Sequence, residues 1–344
     1  MTEYIHFLPS LTIGGAPINV LRAIKWMNTQ RPENIHTIYT PLDNDAFEKE
    51  FIEAGANVKS MPNLRINLNL ILFFILLFFK IKINKRQESV IILHGRGCGL
   101  ILKPLAIIFR LQTVHFFRGF TPTYGLKNSK YLRFLIIYDC FLAHFGTCVA
   151  VGADEYNQIF KVLNPKKLMI VRNPVPKIFW ELCDDAFDFG FVGRRSYQKG
   201  FDLALKICAE NPTKRFVWVG DEVGGQYQSE NIPQNLTLMK YRSQHEIFSI
   251  IKTIICLSRW EGCSTIITEC VNSKKPFISL HCNGVSEFSI TNINDSNFHD
   301  CTSTLSGSLK NIDHFKLSYY ANHLYEKFAS ELSIDVNMKK WLEF

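Results

Sequence analysis

Acidic side chains are nearly missing from one stretch of this chain. Between residues 60 and 133 Glu88 stands alone against 12 Lys and Arg. The ten cysteines include no C-x-x-C pair, so neither a disulfide framework nor a structural zinc site is expected. Glycine and proline, at 19 and 13, are too few, and the 47% hydrophobic content too high, for a collagen-like or disordered chain. No apolar run is long enough to cross a membrane. The longest, Leu70–Phe79, would span about 15 Å as a helix, half of a ~30 Å hydrocarbon core. The first twenty residues carry Glu3, His6 and a Pro9-Ser10 break, so no secretory leader is expected and the cytoplasm is the expected compartment.

What is present divides in two. A length of 344 residues exceeds one ordinary core and suits two domains of roughly 150–180 residues. Residues 1–180 hold 22 Lys and Arg against 11 Asp and Glu, whereas 181–344 hold 17 against 20. A basic first half fits nucleic acid, an anionic membrane surface or a phosphorylated acceptor, or else a merely solvated face. Its charges keep apolar company. Lys80, Lys82, Lys85 and Arg86 follow Leu70–Phe79, and Lys103, Arg110, Arg118, Lys127, Lys130 and Arg133 continue among Phe and Leu. The run reads as a helix lying on a membrane surface or as a buried helix of the domain. The lysine edge favours a peripheral, membrane-touching face.

Short apolar runs alternate with helical stretches. Tyr4–Leu8, Ile35–Tyr39, Val90–Leu93, Thr113–Phe116, Cys148–Val151 and Leu168–Val171 read as strands buried on both faces, with helices over Pro17–Met27 and Tyr131–Phe145. The alternation restarts after Pro174–Pro176. There Phe189–Val192, Phe216–Val219, Leu236–Met239, Ile254–Leu257 and Phe277–Leu280 read as strands, with helices near Phe201–Ala209, His245–Lys252 and Thr265–Asn272. Two such series predict an α/β protein of two Rossmann-like, doubly wound domains facing across a cleft. The expected boundaries are 1–175 for an acceptor- and membrane-facing domain and 176–320 for a nucleotide-binding one. Residues 321–344 are expected to form a helix that returns to the first domain.

Three segments have chemistry to offer. Gly14-Gly15, after the first strand and before Pro17, can bring backbone amides close to an anion or hydroxyl, although a plain strand-to-helix turn would use the same residues. Gly193-Arg194-Arg195-Ser196-Tyr197-Gln198-Lys199-Gly200 sets cations and glycines on one loop, as a cradle for a diphosphate requires. Glu261-Gly262-Cys263-Ser264-Thr265 leads from a strand into a helix with Ser264 as the expected N-cap, and Glu269 follows inside that helix. Two carboxylates thus bracket one anion-binding helix terminus, which matches the ribose, diphosphate and hexose of a nucleotide sugar.

These segments, in this order, resemble the retaining glycosyltransferases of family 4, which have the GT-B fold. Val219-Gly220-Asp221, Gly284-Val285-Ser286-Glu287 and Asn173 stand where that family has similar residues. The resemblance implies that Arg194 and Lys199 hold the donor diphosphate with Ser264, Thr265, Gly14 and Gly15 beside it. It further implies that Glu269 takes the ribose, that Glu261 takes a sugar hydroxyl and that His115 faces the reacting sugar. Read alone, a histidine at a strand end is more often structural. Gly152, Lys240 and Asn283 depart from the family pattern and leave nucleobase and donor sugar open. The sequence's single Asp-x-Asp, Asp43-Asn44-Asp45, is far upstream of the cationic loops, so no cofactor and no metal are expected.

The function implied is retaining transfer of a hexose from a nucleoside-diphosphate sugar to a lipid-linked saccharide, as in O-antigen or capsule synthesis on the inner face of the cytoplasmic membrane. The alternatives are a GT-B sugar-nucleotide epimerase and a basic nucleic-acid-binding protein. The Phe and Leu content of the basic half disfavours nucleic acid.

Overall fold

A computed structural model describes the chain except residues 1, 12–13, 42–46, 65–67, 84–87, 121–129, 222–230, 289–306, 308 and 310–313. The chain forms two compact units, Met1–Pro174 with Ile334–Phe344, and Val175–Ser333.

Unit 1 is built on seven strands: β1 (Thr2–Phe7), β2 (Ile35–Thr40), β3 (Ala56–Ser60), β4 (Glu88–His94), β5 (Gln112–Phe116), β6 (Thr147–Ala150) and β7 (Leu168–Ile170). Their order is β3-β2-β1-β4-β5-β6-β7 and every pairing is parallel. Parallel strands need crossovers, and helices supply them: α1 (Gly15–Gln30), α2 (Glu48–Glu53), α3 (Leu68–Ile83), α4 (Arg96–Ile108), α5 (Lys130–Ala143) and α6 (Ala153–Leu163). Ile5, Phe7, Ile91 and Leu93 pack on Phe74 and Phe78 of α3 and on Cys98, Leu102 and Ala106 of α4. α3 is therefore neither wholly buried nor wholly exposed. Phe74 and Phe78 are in the core, while Leu72 and Phe79 are 53% and 54% exposed. Lys85, Arg86 and Lys127 lie outside the described residues, as do the side chains of Lys130 and Arg133.

On the opposite sheet face, three buried histidines form a line. Arg118 Nε donates to His94 Nδ1 at 3.1 Å, His94 Nε2 lies 3.2 Å from His6 Nδ1, and His6 Nε2 lies 3.3 Å from His36 Nδ1. A guanidinium only donates, so it fixes the proton on Nε2 of His94 and then on Nε2 of His6. Burial holds His6 and His94 well below the ordinary histidine range and lowers His36 to about 4. Gly152, where a capping serine is more usual, leaves α6 without a side-chain cap. Glu155, in the first turn of α6, accepts from the amides of Val151, Gly119 and Phe120 and so ties the helix start to the ends of β5 and β6.

Unit 2 holds β8 (Phe187–Val192), β9 (Phe216–Val219), β10 (Leu236–Met239), β11 (Ile251–Cys256) and β12 (Phe277–Ser279), all parallel in the order β10-β9-β8-β11-β12. Its helices are α7 (Phe201–Glu210), α8 (Gln244–Ile250), α9 (Thr265–Asn272) and α10 (His314–Leu332). The expected helix through Lys252 stops two residues earlier. Ile251, Thr253 and Ile254 are β-branched and buried, and they enter β11 without an intervening turn.

The tail also differs from expectation. It is two helices broken at Ser333, and α10 packs on α9 within unit 2. Only the last helix, α11 (Ile334–Trp341), groups with unit 1, where Trp341 stacks on Phe116 at 4.7 Å and Asp335 accepts from Trp26 Nε1 at 2.7 Å.

Candidate functional site

In unit 2 the chemically rich loops all leave the carboxyl ends of strands, where parallel α/β sheets bind ligands. The loop after β8 is anchored from β9. The amide of Gly193 donates to the Val219 carbonyl, Trp218 Nε1 donates to the Gly193 carbonyl at 2.7 Å, and the Arg195 amide donates to the Asp221 carbonyl. Gly220, at φ 144, brings its backbone so near the Gly193 carbonyl that a Cβ would overlap it. Val219-Gly220-Asp221 thus fixes the turn that carries Arg194 and Lys199.

Lys199 Nζ donates to Glu261 Oε1 in an ion pair whose side chains are 20% and 11% exposed. Ser258 Oγ donates to the same Oε1 at 2.7 Å. Burial opposes the Lys199 charge, but the Glu261 carboxylate outweighs it, and the ammonium titrates above the usual lysine range. Both donors take one oxygen, and no bond reaches Oε2 among the described residues. Arg194 is exposed and close enough for its charge to weigh on Lys199.

A second device joins the two loops. Arg259 forms a two-pronged pair with Asp202 at 2.8 and 2.7 Å, donates to the Tyr197 carbonyl at 2.5 Å and lies 3.7 Å above the Tyr197 ring. Its amide donates to the Gln198 carbonyl, and Gln198 Nε2 donates to the Trp260 carbonyl at 3.2 Å. Asp202, Arg259 and Tyr197 have no sequence signal, because 57 residues separate the paired charges. Ser258, three residues before Glu261, is the one support that proximity could have suggested.

Ser264 is the N-cap of α9 by position, yet its side chain caps nothing. Its Oγ is buried without a partner, and the Ser264 carbonyl accepts from the Thr268 amide. The first-turn amides of α9 therefore lack the side-chain oxygen that would usually take one of them. The loop at 282–288 supports this terminus. The Glu261 amide donates to the Asn283 carbonyl and the Ser264 amide to the Gly284 carbonyl. Gly284, at φ 79, would place a Cβ 2.6 Å from the Glu261 carbonyl oxygen. Glu269 is 1% exposed, deeper than a carboxylate on an open wall. A cavity of about 640 Å³ opens beyond β10, at the sheet edge, and is lined by Lys240, Tyr241, Arg242 and Ser243 among others.

In unit 1, Gly14 and Gly15 begin α1 as expected, with no side-chain cap. His115 does not open toward a ligand. Its ring is 3% exposed, lies against the backbone of Gly99, sits tilted against the Phe117 ring at a centroid distance of 4.2 Å and has Nε2 3.1 Å from the Gly95 carbonyl oxygen. Burial lowers it to about 3, so the imidazole is neutral in this packing. Among the described residues no group of three or more His, Cys, Asp or Glu could hold a metal. Asp43-Asn44-Asp45 lies outside them.

Fold and loops together define a two-unit, parallel-sheet α/β protein of the GT-B type. Residues 179–299 match the family of glycosyl transferases group 1. The chain is 27% identical over 154 residues to the phosphatidylinositol N-acetylglucosaminyltransferase gpi3 subunit of Schizosaccharomyces pombe, a match covering 39% of this chain and 32% of that protein. It is 26% identical over 103 residues to an uncharacterized 42.6 kDa protein in the cps region of Klebsiella pneumoniae, covering 29% of this chain and 28% of that one. The chain thus spans about a third or less of the length of these curated relatives. Among solved structures, Anabaena Alr3699/HepE in complex with UDP-glucose is similar with a TM-score of 0.77 at 14% identity, over 100% of this chain and 99% of that one.

Proposed function

We propose that the protein is a retaining, metal-independent glycosyltransferase that moves a hexose from a nucleoside-diphosphate sugar to a lipid-linked saccharide acceptor. One observation carries the reading: Arg194, Lys199, Glu261 and the uncapped start of α9 converge on neighbouring strand ends of unit 2. Breaking a glycosyl–phosphate bond drives negative charge onto the departing nucleoside diphosphate. Arg194, Lys199 and the α9 amides would stabilise that charge, with Ser264 Oγ as a further donor. Glu261 Oε2 would accept a hydroxyl of the hexose while Oε1 stays with Ser258. Glu269 would take the ribose after side-chain rearrangement around it. Gly14 and Gly15, which begin α1, would offer backbone amides to an anion or hydroxyl.

The acceptor hydroxyl would approach on the face that the leaving group vacates, so configuration is kept without a protein nucleophile. A glycosyl transferases group 1 match over residues 179–299 supports the reaction class. UDP-glucose in the Anabaena structure supports a nucleotide-sugar donor. The relative encoded in the cps region supports a role in surface polysaccharide synthesis, and the basic first half supports an anionic membrane partner rather than nucleic acid.

The test incubates the full chain with UDP-, GDP- and ADP-hexoses and polyprenyl-diphosphate-linked sugars, and follows the anomeric signal of the product by NMR. Transfer with the donor's configuration is expected. An inverted product, or epimerised donor without acceptor, would overturn the assignment.

A further inference from the structure

We infer that unit 1 carries a docking platform for an anionic phospholipid surface, made by the outer faces of α3 and α5. The inference deepens the lipid-linked acceptor reading and takes its biological sense from it, although the surface can be tested without any sugar. On α3, Ile71, Leu72, Ile75, Leu76, Phe79 and Ile83 are 37–60% exposed, while Phe74 and Phe78 on the other side are fully buried. On α5 and the turn after it, Phe134, Ile137, Phe141 and Phe145 recur at helical spacing with exposures of 37–68%. α4 packs against both helices and ends on Ile108, which is 70% exposed. Single exposed apolar residues are ordinary, but eleven on three adjoining helices form a patch that soluble surfaces seldom leave uncovered.

Charge selects the occupant. Lys80, Lys82 and Arg110 are exposed at the ends of α3 and α4. α3 and α4 contain no acidic residue, and the one acid of α5, Asp139, is 4% exposed and paired with Arg96. The three helices therefore turn no carboxylate outward. An anionic headgroup layer meets apolar side chains edged with cations, whereas a second copy of this chain would set like charges against one another. At 16 residues α3 is about 24 Å long, and no described helix is long and apolar enough to cross a membrane, so the contact lies in the interface.

Vesicle flotation of the full chain tests this, with phosphatidylcholine vesicles containing about a third phosphatidylglycerol and with pure phosphatidylcholine. Flotation with the anionic vesicles only, weakened at high salt, is expected. Leu76→Glu/Phe79→Glu should lower the bound fraction at least tenfold. Lys80→Ala/Lys82→Ala should lower it roughly twenty-fivefold, at about fivefold per lysine. Ile137→Glu/Phe141→Glu repeats the test on α5 should the α3 variant not fold.

Equal binding to neutral vesicles, or no effect of the variants, would overturn the platform. So would a wild-type dimer in sedimentation that Leu76→Glu/Phe79→Glu dissolves, which would make the patch a self-association face. Nucleoside-diphosphate binding is measured on the same samples. Lost flotation with intact nucleotide binding removes only the platform, and the reverse removes only the donor reading.

Discussion

Replacing Lys199 by alanine strikes both the stability of unit 2 and its proposed chemistry, and the two can be separated. The side chains of Lys199 and Glu261 are 20% and 11% exposed, so the pair is largely shielded from water without being sealed. A charge-assisted hydrogen bond contributes about 1.5–3 kcal/mol, and removing one partner of a buried pair adds the cost of the stranded charge. After Lys199→Ala, Glu261 retains only Ser258, so a loss of about 2–3 kcal/mol is expected. Glu261→Ala should cost less, about 1 kcal/mol, because a flexible ammonium can turn toward water. The double variant should lose about 2 kcal/mol, leaving a coupling energy of roughly 1–2 kcal/mol. Urea unfolding followed by tryptophan fluorescence reads the cycle. Losses that add to within about 0.5 kcal/mol would refute the pairing. In the transfer assay Lys199→Ala should be slower by about 10²–10³, the scale of one preorganised stabiliser.

Three further outcomes are expected. Arg259→Ala should loosen the tie between the loops after β8 and β11, costing about 1–2 kcal/mol and raising KM for the donor several-fold; Arg259→Lys should not restore it, since lysine lacks the two-pronged geometry seen with Asp202. Gly284→Ala should destabilise by more than about 1 kcal/mol and weaken donor binding, because an alanine at φ 79 must push the Glu261 carbonyl away, and isothermal titration with UDP would detect it. Acid should destabilise unit 1 early: His6, His36, His94 and His115 stay neutral when folded but protonate below about 6.5 when unfolded, so stability falls as pH drops from 7 toward 4. Each should contribute about 1 kcal/mol of loss between pH 7 and 5.5, and His94→Gln should flatten the slope in pH-dependent urea melts, with an unchanged slope counting against the buried line.

Much of this architecture was legible because parallel strands buried on both faces write continuous apolar runs. β3 escaped notice: Ala56–Ser60 is an edge strand with only Ala56 buried, so its sequence carries no run. Gly95-Arg96-Gly97-Cys98-Gly99 resembles a glycine-rich loop but enters α4 at once, because only Gly95 needs the positive φ. Residue types at the site were readable from the loops that carry them, while their bonds were not. Lys199 and Glu261 meet across 62 positions, and nothing local marks them as partners. Ser264 was placed correctly as an N-cap, but its missing bond depends on how the loop at 282–288 holds the amide. The burial of His115 is not legible from its own strand, because the glycine that admits its ring, Gly99, sits on another element.

The central claim, that the strand ends of unit 2 grip a nucleoside diphosphate, is tested most directly by isothermal titration of the full chain with UDP, GDP and ADP, with and without Arg194→Ala/Lys199→Ala. The account predicts saturable one-to-one binding of at least one nucleotide, weakened about a hundredfold or more in the double variant while its far-ultraviolet spectrum is unchanged. Equal affinity of the folded double variant and the wild type would contradict it.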